Sequence, residues 1–527
     1  MAQLVSRQER EALNNEIWKI ADDMRGSVDG WDFKSYVLGA MLYRFLSEHL
    51  TDYVNAPDPE INYASRSEEI PEEIRRQLIE EIGYFIPPTS LFESVCKRLR
   101  ERKISSLDEE LTKIFQEIIS STVDATSHDV FKGLFDDFNV NSNKLGGNPE
   151  NRRKRLEALL FGVEAMDLRG YKDGAGDAFG DAYEFLMKMY ASNAGKSGGE
   201  FYTPADVSEL LARLAINGRT DVRDVYDPAC GSGSLLLKVA LALKNADGVV
   251  DTSNLCFNGQ EINVTTYNLC RINMILHGVS YTNIHIFLGD TLIAPEFYGD
   301  PEKKFDVIVS NPPYSIKWNQ DGDDNLLKDP RYSPAGVLAP KGKADLAFVL
   351  HSLYKLSPQG AAAIVCFPGI MYRGGAEQKI RKYLVDNNYV DCVIQLPSNL
   401  FFGTSIATCI LVLRKNKKVD DRFLFIDASN EFIKVTNNNR LTPENIERIY
   451  QTYHKREESE YFSRLVTMEE IQEHDYNLSV SSYVEQRDTR EKVDITALNA
   501  EIKEIVAREE RLREAIDQIV AQIEGRR

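Results

Sequence analysis

Apolar side chains return at three- and four-residue steps through the first third of the chain. Leu13, Ile17, Ile20 and Met24 form one such run, and Phe33, Val37, Leu38, Met41 and Phe45 another, the spacing of amphipathic helices. Ser90 with Glu93 after Pro87-Pro88 has the pattern of a capping box, and Gly146-Gly147-Asn148-Pro149 breaks the chain. From about residue 175 the period changes. Short apolar runs at Val222–Tyr226, Leu255–Gly259, Ile284–Leu288 and Phe305–Ser310 alternate with helical stretches such as Val264–His277, which predicts a mostly parallel sheet in an α/β domain. The alternation continues with helix Ala344–Leu356, strand Ala361–Phe367, helix Glu377–Asn387 and strand Val390–Leu396. Ile406–Leu413 and Phe423–Ile426 follow so closely that they predict an antiparallel hairpin at one edge. In the tail, Thr442-Pro443-Glu444 starts a helix and Thr467–Glu470 repeats the capping-box pattern. Ile495, Leu498, Ile502, Ile505, Leu512, Ile516, Ile519 and Ile523 then trace a heptad seam interrupted by Glu509, a narrow stripe that calls for a partner helix. The expected division is a helical domain over 1–170, an α/β catalytic domain over 171–435 and a helical C-terminal region over 436–527.

The chemistry-bearing residues fall where these strands end. Asp227-Pro228-Ala229-Cys230-Gly231-Ser232-Gly233-Ser234 joins the first strand to a helix, and its glycines let a ligand approach the backbone at a helix N-terminus. The third glycine of a dinucleotide fingerprint is replaced by Leu236, which counts against NAD or FAD. Glu261 closes the second strand, where a carboxylate can accept from both hydroxyls of a ribose, and Asp290 follows the third, placed to accept from an adenine amino group. Thr203-Pro204 with Asp206 reads as a capped helix start whose amides suit a carboxylate. Asn311-Pro312-Pro313-Tyr314 terminates the fourth strand. Residues 315 to about 343 carry no regular pattern, the mark of a lid or a disordered segment.

A net charge of −18 repels phosphate backbones, so any grip on nucleic acid is expected to come largely from a partner. The seven cysteines form no C-x-x-C pair and most sit in apolar surroundings, as in a reduced, cytosolic protein. The histidines show no metal-ligand spacing, and neither a signal core nor a membrane span is legible, so the expected location is cytoplasmic.

The Asn-Pro-Pro-Tyr turn suits one problem in particular. An exocyclic amine is a poor nucleophile because its lone pair is delocalised; the Asn311 oxygen and the Pro312 carbonyl can each accept one amine hydrogen and favour the pyramidal geometry of attack. Pro312-Pro313 fixes those acceptors, and Tyr314 offers a face for a planar base taken out of a duplex. Together with Asp227–Ser234 and Gly198-Gly199-Glu200-Phe201-Tyr202-Thr203-Pro204, this turn resembles the signature motifs of amino-group S-adenosylmethionine-dependent methyltransferases. Their order is similar to that of the modification (M) subunit of type I restriction–modification systems, over most of the chain.

That resemblance implies a Rossmann-like methyltransferase sheet, S-adenosyl-L-methionine as cofactor, and site-specific methylation of N6 of adenine in double-stranded DNA. It also implies a specificity (S) subunit that reads the sequence, a second M subunit, and a restriction (R) subunit in the full complex. The candidate cofactor contacts are Glu200, Phe201, Tyr202, Thr203, Pro204, Ala205, Asp227, Gly231, Ser232, Gly233, Ser234, Glu261 and Asp290. Asn311, Pro312, Pro313 and Tyr314 are the candidate catalytic residues, with Phe401 or Phe402 beside the base. The same turn also suits N4-cytosine methylation, glutamine methylation in proteins and guanine methylation in RNA. A non-catalytic assembly subunit of the same fold is the alternative from another class.

Overall fold

The computed structural model describes residues 7–24, 30–58, 62–66, 69–168, 178–193, 203–243, 254–296, 300, 303–318, 326–401, 404–418, 422–435, 438–486 and 495–525. The chain forms two compact units, Met1–Val484 and Glu485–Arg527.

The first unit begins with helices whose apolar stripes meet, with Ile17, Val37, Met41, Leu42, Leu156, Leu159 and Val163 sealed from solvent. Burying each such side chain contributes about 1.5–3 kcal/mol. Arg44 closes the Pro149–Ala165 helix by donating to the carbonyls of Val163 (2.6 Å) and Met166 (2.8 Å), a cation where the last carbonyls have no amide from a further helical turn. The expected Ser90 cap does not form. The helix runs Phe92–Arg100 without a side-chain cap at its start, and the Phe92 amide donates instead to Ser47 Oγ (3.0 Å) on the Gly30–Asn55 helix. A serine from a packed neighbour has replaced the local one, which lies in a buried 3-10 turn, Pro88–Ser90.

The sheet has nine strands. In chain order they are β1 Asp224–Asp227, β2 Cys256–Glu261, β3 Ile284–Leu288, β4 Phe305–Ser310, β5 Leu356–Cys366, β6 Val390–Gln395, β7 Cys409–Arg414 and β8 Phe423–Asp427. A separate hairpin, β9 Ile433–Val435 with β10 Asn438–Arg440, precedes the ninth sheet strand, β11 Ser463–Val466. The spatial order is β11-β8-β6-β7-β5-β4-β1-β2-β3. The pairs from β3 through β2, β1 and β4 to β5 are parallel, with Val225 opposite Val307 at the centre. The hairpin expected of Ile406–Leu413 and Phe423–Ile426 does not form: β7 and β8 are not neighbours, because the chain crosses over after β7 and both strands pair with β6 instead. β7 lies between β5 and β6, antiparallel to both, β8 extends the sheet parallel to β6, and β11 takes the margin. Cys409-Ile410-Leu411-Val412-Leu413 is apolar at every position and buried throughout, the composition of a strand covered on both faces.

One hydrophobic core runs from the N-terminal helices into the sheet, including Leu42, Leu186, Leu211, Val225 and Val309. Arg271, 2% exposed on the Val264–Leu276 helix, crosses that junction and donates to the carbonyls of Asp129 (2.8 Å), Val130 (3.1 Å) and Lys132 (2.8 Å). The second unit, in its described part, is the single helix Ile495–Glu524. Ten of its apolar side chains, from Ile495 to Ile523, are each between 45% and 70% exposed.

Candidate active site

The C-terminal ends of β1 to β4 open into a cleft of about 330 Å³, the size of a small-ligand site. Its floor is the turn after β1. Gly231 (φ +54°) and Gly233 (φ +76°) adopt left-handed backbone, and a Cβ at Gly233 would lie 2.7 Å from Cys270 Sγ and Met274 Cε. Asn273 Nδ2 donates to the Ser232 carbonyl (2.8 Å) and holds the turn down, so that the Ser234–Ala242 helix starts at the cleft. Glu261, from the end of β2, accepts from the Gly231 amide through Oε2 (3.0 Å) and from the Asn263 amide through Oε1 (2.8 Å). A carboxylate offers about four lone-pair sites, so each oxygen retains acceptor capacity toward the cleft. Burial pushes its carboxyl above the usual range, against the opposing pull of those amides. Asp290 also lines the cleft, with Oδ1 accepting from the Leu292 amide (2.9 Å).

Asn311 stands on the opposite wall, directly after β4. Its Nδ2 donates to Thr203 Oγ1 (3.0 Å), and its Oδ1 accepts from the Tyr314 hydroxyl (2.5 Å). Burial raises the Tyr314 phenol well above its ordinary value, so it remains an O–H donor. Pro312 is buried and Pro313 exposed on the cleft wall. Ser315 turns the chain sharply with φ +52°, its amide donating to both oxygens of Asp345 (3.2 and 3.1 Å). A left-handed non-glycine beside the candidate catalytic turn is the sort of strain that functional sites hold.

Residues 174–492 match a family model described as N-6 DNA Methylase, and residues 13–161 match the HsdM N-terminal domain. The chain is 50% identical to the methylase subunit of the type I restriction enzyme MpnII from Mycoplasma pneumoniae, over 98% of this chain and 97% of that one. The chain belongs to the methylase subunits of type I restriction enzymes. Among solved structures, the methyltransferase subunit of a type I restriction-modification system from Streptococcus thermophilus superposes with a TM-score of 0.81 at 36% identity. It covers 90% of this chain and 100% of that one. The MjaVII methylase subunit of Methanocaldococcus jannaschii is 36% identical over 72% of this chain and 64% of that one. S-adenosylmethionine, the cofactor of this family, fits the donor set of the cleft: a glycine turn at a helix start, a carboxylate with spare acceptor sites, and the exposed apolar side chain of Ile262 (68%) between them.

In this methylase subunit the cleft brings together Thr203, Gly231, Ser232, Ser234, Glu261, Asp290, Asn311 and Pro313 of the expected residues. Thr203 is not the helix cap that its sequence suggests. The helix runs Ala205–Ile216 from Pro204 without a side-chain cap, and Pro204 and Ala205 line a different hollow with Leu400 and Asn439. Glu200, Phe201, Tyr202 and Phe402 lie outside the described residues, and Phe401 is packed into the core at 2% exposure. Gly233 faces Cys270 and Met274, and Pro312 is buried behind the wall. Ile316, Lys317, Trp318 and Phe348 join the lining without any sequence motif of their own. The described part of the segment after Tyr314 is anchored rather than loose. Trp318 Nε1 donates to the Pro340 carbonyl (3.2 Å), and buried Arg331 holds Asp329 (2.7 Å) and the carbonyls of Thr291 and Leu292 (2.8 Å each). Arg331 also donates to His351 Nδ1 (3.1 Å); the neutral ring therefore carries its proton on Nε2, 2.8 Å from the Tyr226 hydroxyl.

Asp227 lies beneath the cleft rather than on its wall. Fully buried, it accepts through Oδ1 from the Ala229 amide (3.0 Å) and the Ser310 hydroxyl (2.8 Å), tying the end of β1 to that of β4. Oδ2 has no hydrogen-bond partner among the described residues, and burial pushes the carboxyl up to about 7. The unfolded chain releases this proton near 3.8, so the native state binds the more protons between those values. Stability is therefore lost as the pH rises through that window. Asp227→Asn is expected to raise the stability at pH 8 by an amount on the order of a few kcal/mol, seen as a higher melting temperature, and to lose that advantage by pH 4. Calorimetry of both proteins at the two pH values checks this; an advantage that does not change with pH contradicts the assignment.

Proposed function

We propose that this chain is the modification subunit of a type I restriction–modification complex, transferring a methyl group from S-adenosyl-L-methionine to N6 of adenine at a specific DNA sequence. The observation that carries this reading is the Asn311 amide, placed by β4 on the same cleft as the Glu261 carboxylate and the Gly231–Ser234 turn. When bound, S-adenosylmethionine supplies a methyl group made electrophilic by its sulfonium. Glu261 would hold its ribose hydroxyls, Asp290 its adenine amino group, and the amides of the Ser232–Ser234 helix start its methionine carboxylate. Asn311 Oδ1 and the Pro312 carbonyl accept the hydrogens of the target amine, which draws its lone pair out of conjugation. The Tyr314 hydroxyl, which donates to Asn311 Oδ1, gives way to that amine, and the ring supports the flipped base.

On this reading residues 1–170 are a helical domain, 171–435 the catalytic domain and 436–527 the subunit-docking region. A chain of net charge −18 needs help to hold DNA. A specificity subunit supplies sequence reading, a second modification subunit completes the methyltransferase, and a restriction subunit completes the nuclease. The exposed apolar stripe of Ile495–Glu524 docks these partners by helix packing, in the cytoplasm where the DNA lies. The test is to sequence the DNA of cells expressing the chain with and without its specificity subunit. N6-methyladenine at one motif, present only with the partner, is the expected result. N4-methylcytosine overturns the substrate, and methylation without the partner overturns the division of labour.

A further inference from the structure

We infer that Thr203 is a positioning residue for methyl transfer, holding the amide of Asn311 against the cleft wall at the place where its oxygen meets the target amine. This rests on the methyltransferase reading above and adds a residue whose role lies in orienting Asn311 rather than in holding the cofactor.

An asparagine amide has a donor end and an acceptor end of nearly equal size, and the torsion that exchanges them is broad and roughly two-fold. For Asn311 the two ends are not equivalent in function. The oxygen can accept an amine hydrogen; the NH2 group in its place would set donor against donor. Both hydroxyls that meet the amide, those of Thr203 and Tyr314, can donate or accept, so the arriving amine, which can only donate, selects the oxygen, and what the wall must supply is a fixed place for the amide. Thr203 Oγ1 lies 3.0 Å from Nδ2 and accepts from it, while the Tyr314 hydroxyl, held protonated by burial, donates to Oδ1. When the target amine displaces the phenol from Oδ1, the bond to Thr203 is the one that remains to hold the side chain in place.

The mount suits that task. Thr203 is β-branched and precedes a proline, so both its side-chain torsion and its backbone are restricted. Pro204 leads into a helix whose Val207, Leu210, Leu211 and Leu214 are fully buried, which ties the hydroxyl to the core. That helix makes no side-chain cap bond, so the hydroxyl is not spent on the backbone amides that a threonine at this place ordinarily serves.

The test uses the full chain assembled with its specificity subunit, unmodified genomic DNA as substrate, and N6-methyladenine formation as the readout. Thr203→Val keeps the shape and removes the acceptor; it is expected to lower kcat by about 10- to 100-fold, as misorientation of a reacting group does. The dissociation constant for S-adenosylmethionine and the KM for DNA are expected to stay within about twofold. Thr203→Ser, which keeps the hydroxyl, is expected to recover most of the lost rate. Retention of kcat in Thr203→Val overturns the inference. So does a loss of cofactor affinity as large as the loss of rate, which would make Thr203 a cofactor contact, or a Thr203→Ser variant as slow as Thr203→Val. Asn311→Ala separates the two levels of the argument: if it is inactive while Thr203→Val is unimpaired, only the role of Thr203 falls. A wild-type complex that forms no N6-methyladenine overturns both.

Discussion

Asn311→Ala is expected to reduce methyl transfer by about 10²–10³-fold or more while leaving S-adenosylmethionine affinity within about twofold, because the lost group acts on charge that develops only during reaction. The split follows from position. Asn311 follows β4 and bonds to Thr203 and Tyr314, whereas the groups proposed to receive the cofactor come from the turn after β1 and the end of β2. Removing the amide leaves Thr203 and Tyr314 with unpaired hydroxyls at a partly solvated wall, a small cost in stability, and leaves Glu261 and its amide partners untouched. Single-turnover rates with saturating cofactor, together with a direct binding titration, measure the two quantities separately. A variant that loses cofactor binding in proportion to rate would place Asn311 in the cofactor site instead.

The second large effect lies far from the chemistry in sequence. Leu512→Glu combined with Ile516→Glu is expected to abolish co-purification with the specificity subunit and, with it, N6-methyladenine in cells. Both side chains are more than half exposed on the Ile495–Glu524 helix, and neither is needed for its own unit to fold as a helix. If a partner helix covers them, each contributes about 1.5–3 kcal/mol, so losing both weakens assembly by roughly 10²–10⁴-fold before the cost of burying two carboxylates. The melting of Met1–Val484 is expected to be unchanged, since these positions belong to the other compact unit. Pull-down and calorimetry on the same preparation check both halves. Assembly that survives the double substitution would mean that the stripe is not the docking surface.

Local pattern carried the strand-turn-helix units at the cleft well, because each is written in neighbouring residues. β3 and β4 begin and end where their apolar runs do, and Glu261 and Asn311 fall at strand ends as their spacing requires. What pattern could not carry is partnership between distant segments. The apolar run of β7 looks the same beside one neighbour or between two, and only the strand order shows it enclosed by β5 and β6. Ser90 has the sequence of a cap, yet Ser47 occupies the Phe92 amide. Thr203 has the sequence of a cap as well, yet its hydroxyl faces Asn311, more than a hundred residues away. Trp318 reaches the cleft wall by bonds to the Pro340 and Lys341 carbonyls, and Arg331 ties the same segment to carbonyls after β3, a set of bonds between loops with no period to read.

The interior place of β7 has a bearing on how the molecule is made. Asn311 leaves the ribosome with β1 to β4 already behind it, and β5 follows soon after, yet the far side of β5 finds its partner only when Cys409–Arg414 has emerged. Through that interval a nascent chain carries an apolar strand with one row of amides and carbonyls open to pairing, an invitation to wrong neighbours that holding chaperones exist to decline. A chain ending anywhere between β5 and β7 would thus carry the Asn311–Tyr314 turn on an unfinished sheet.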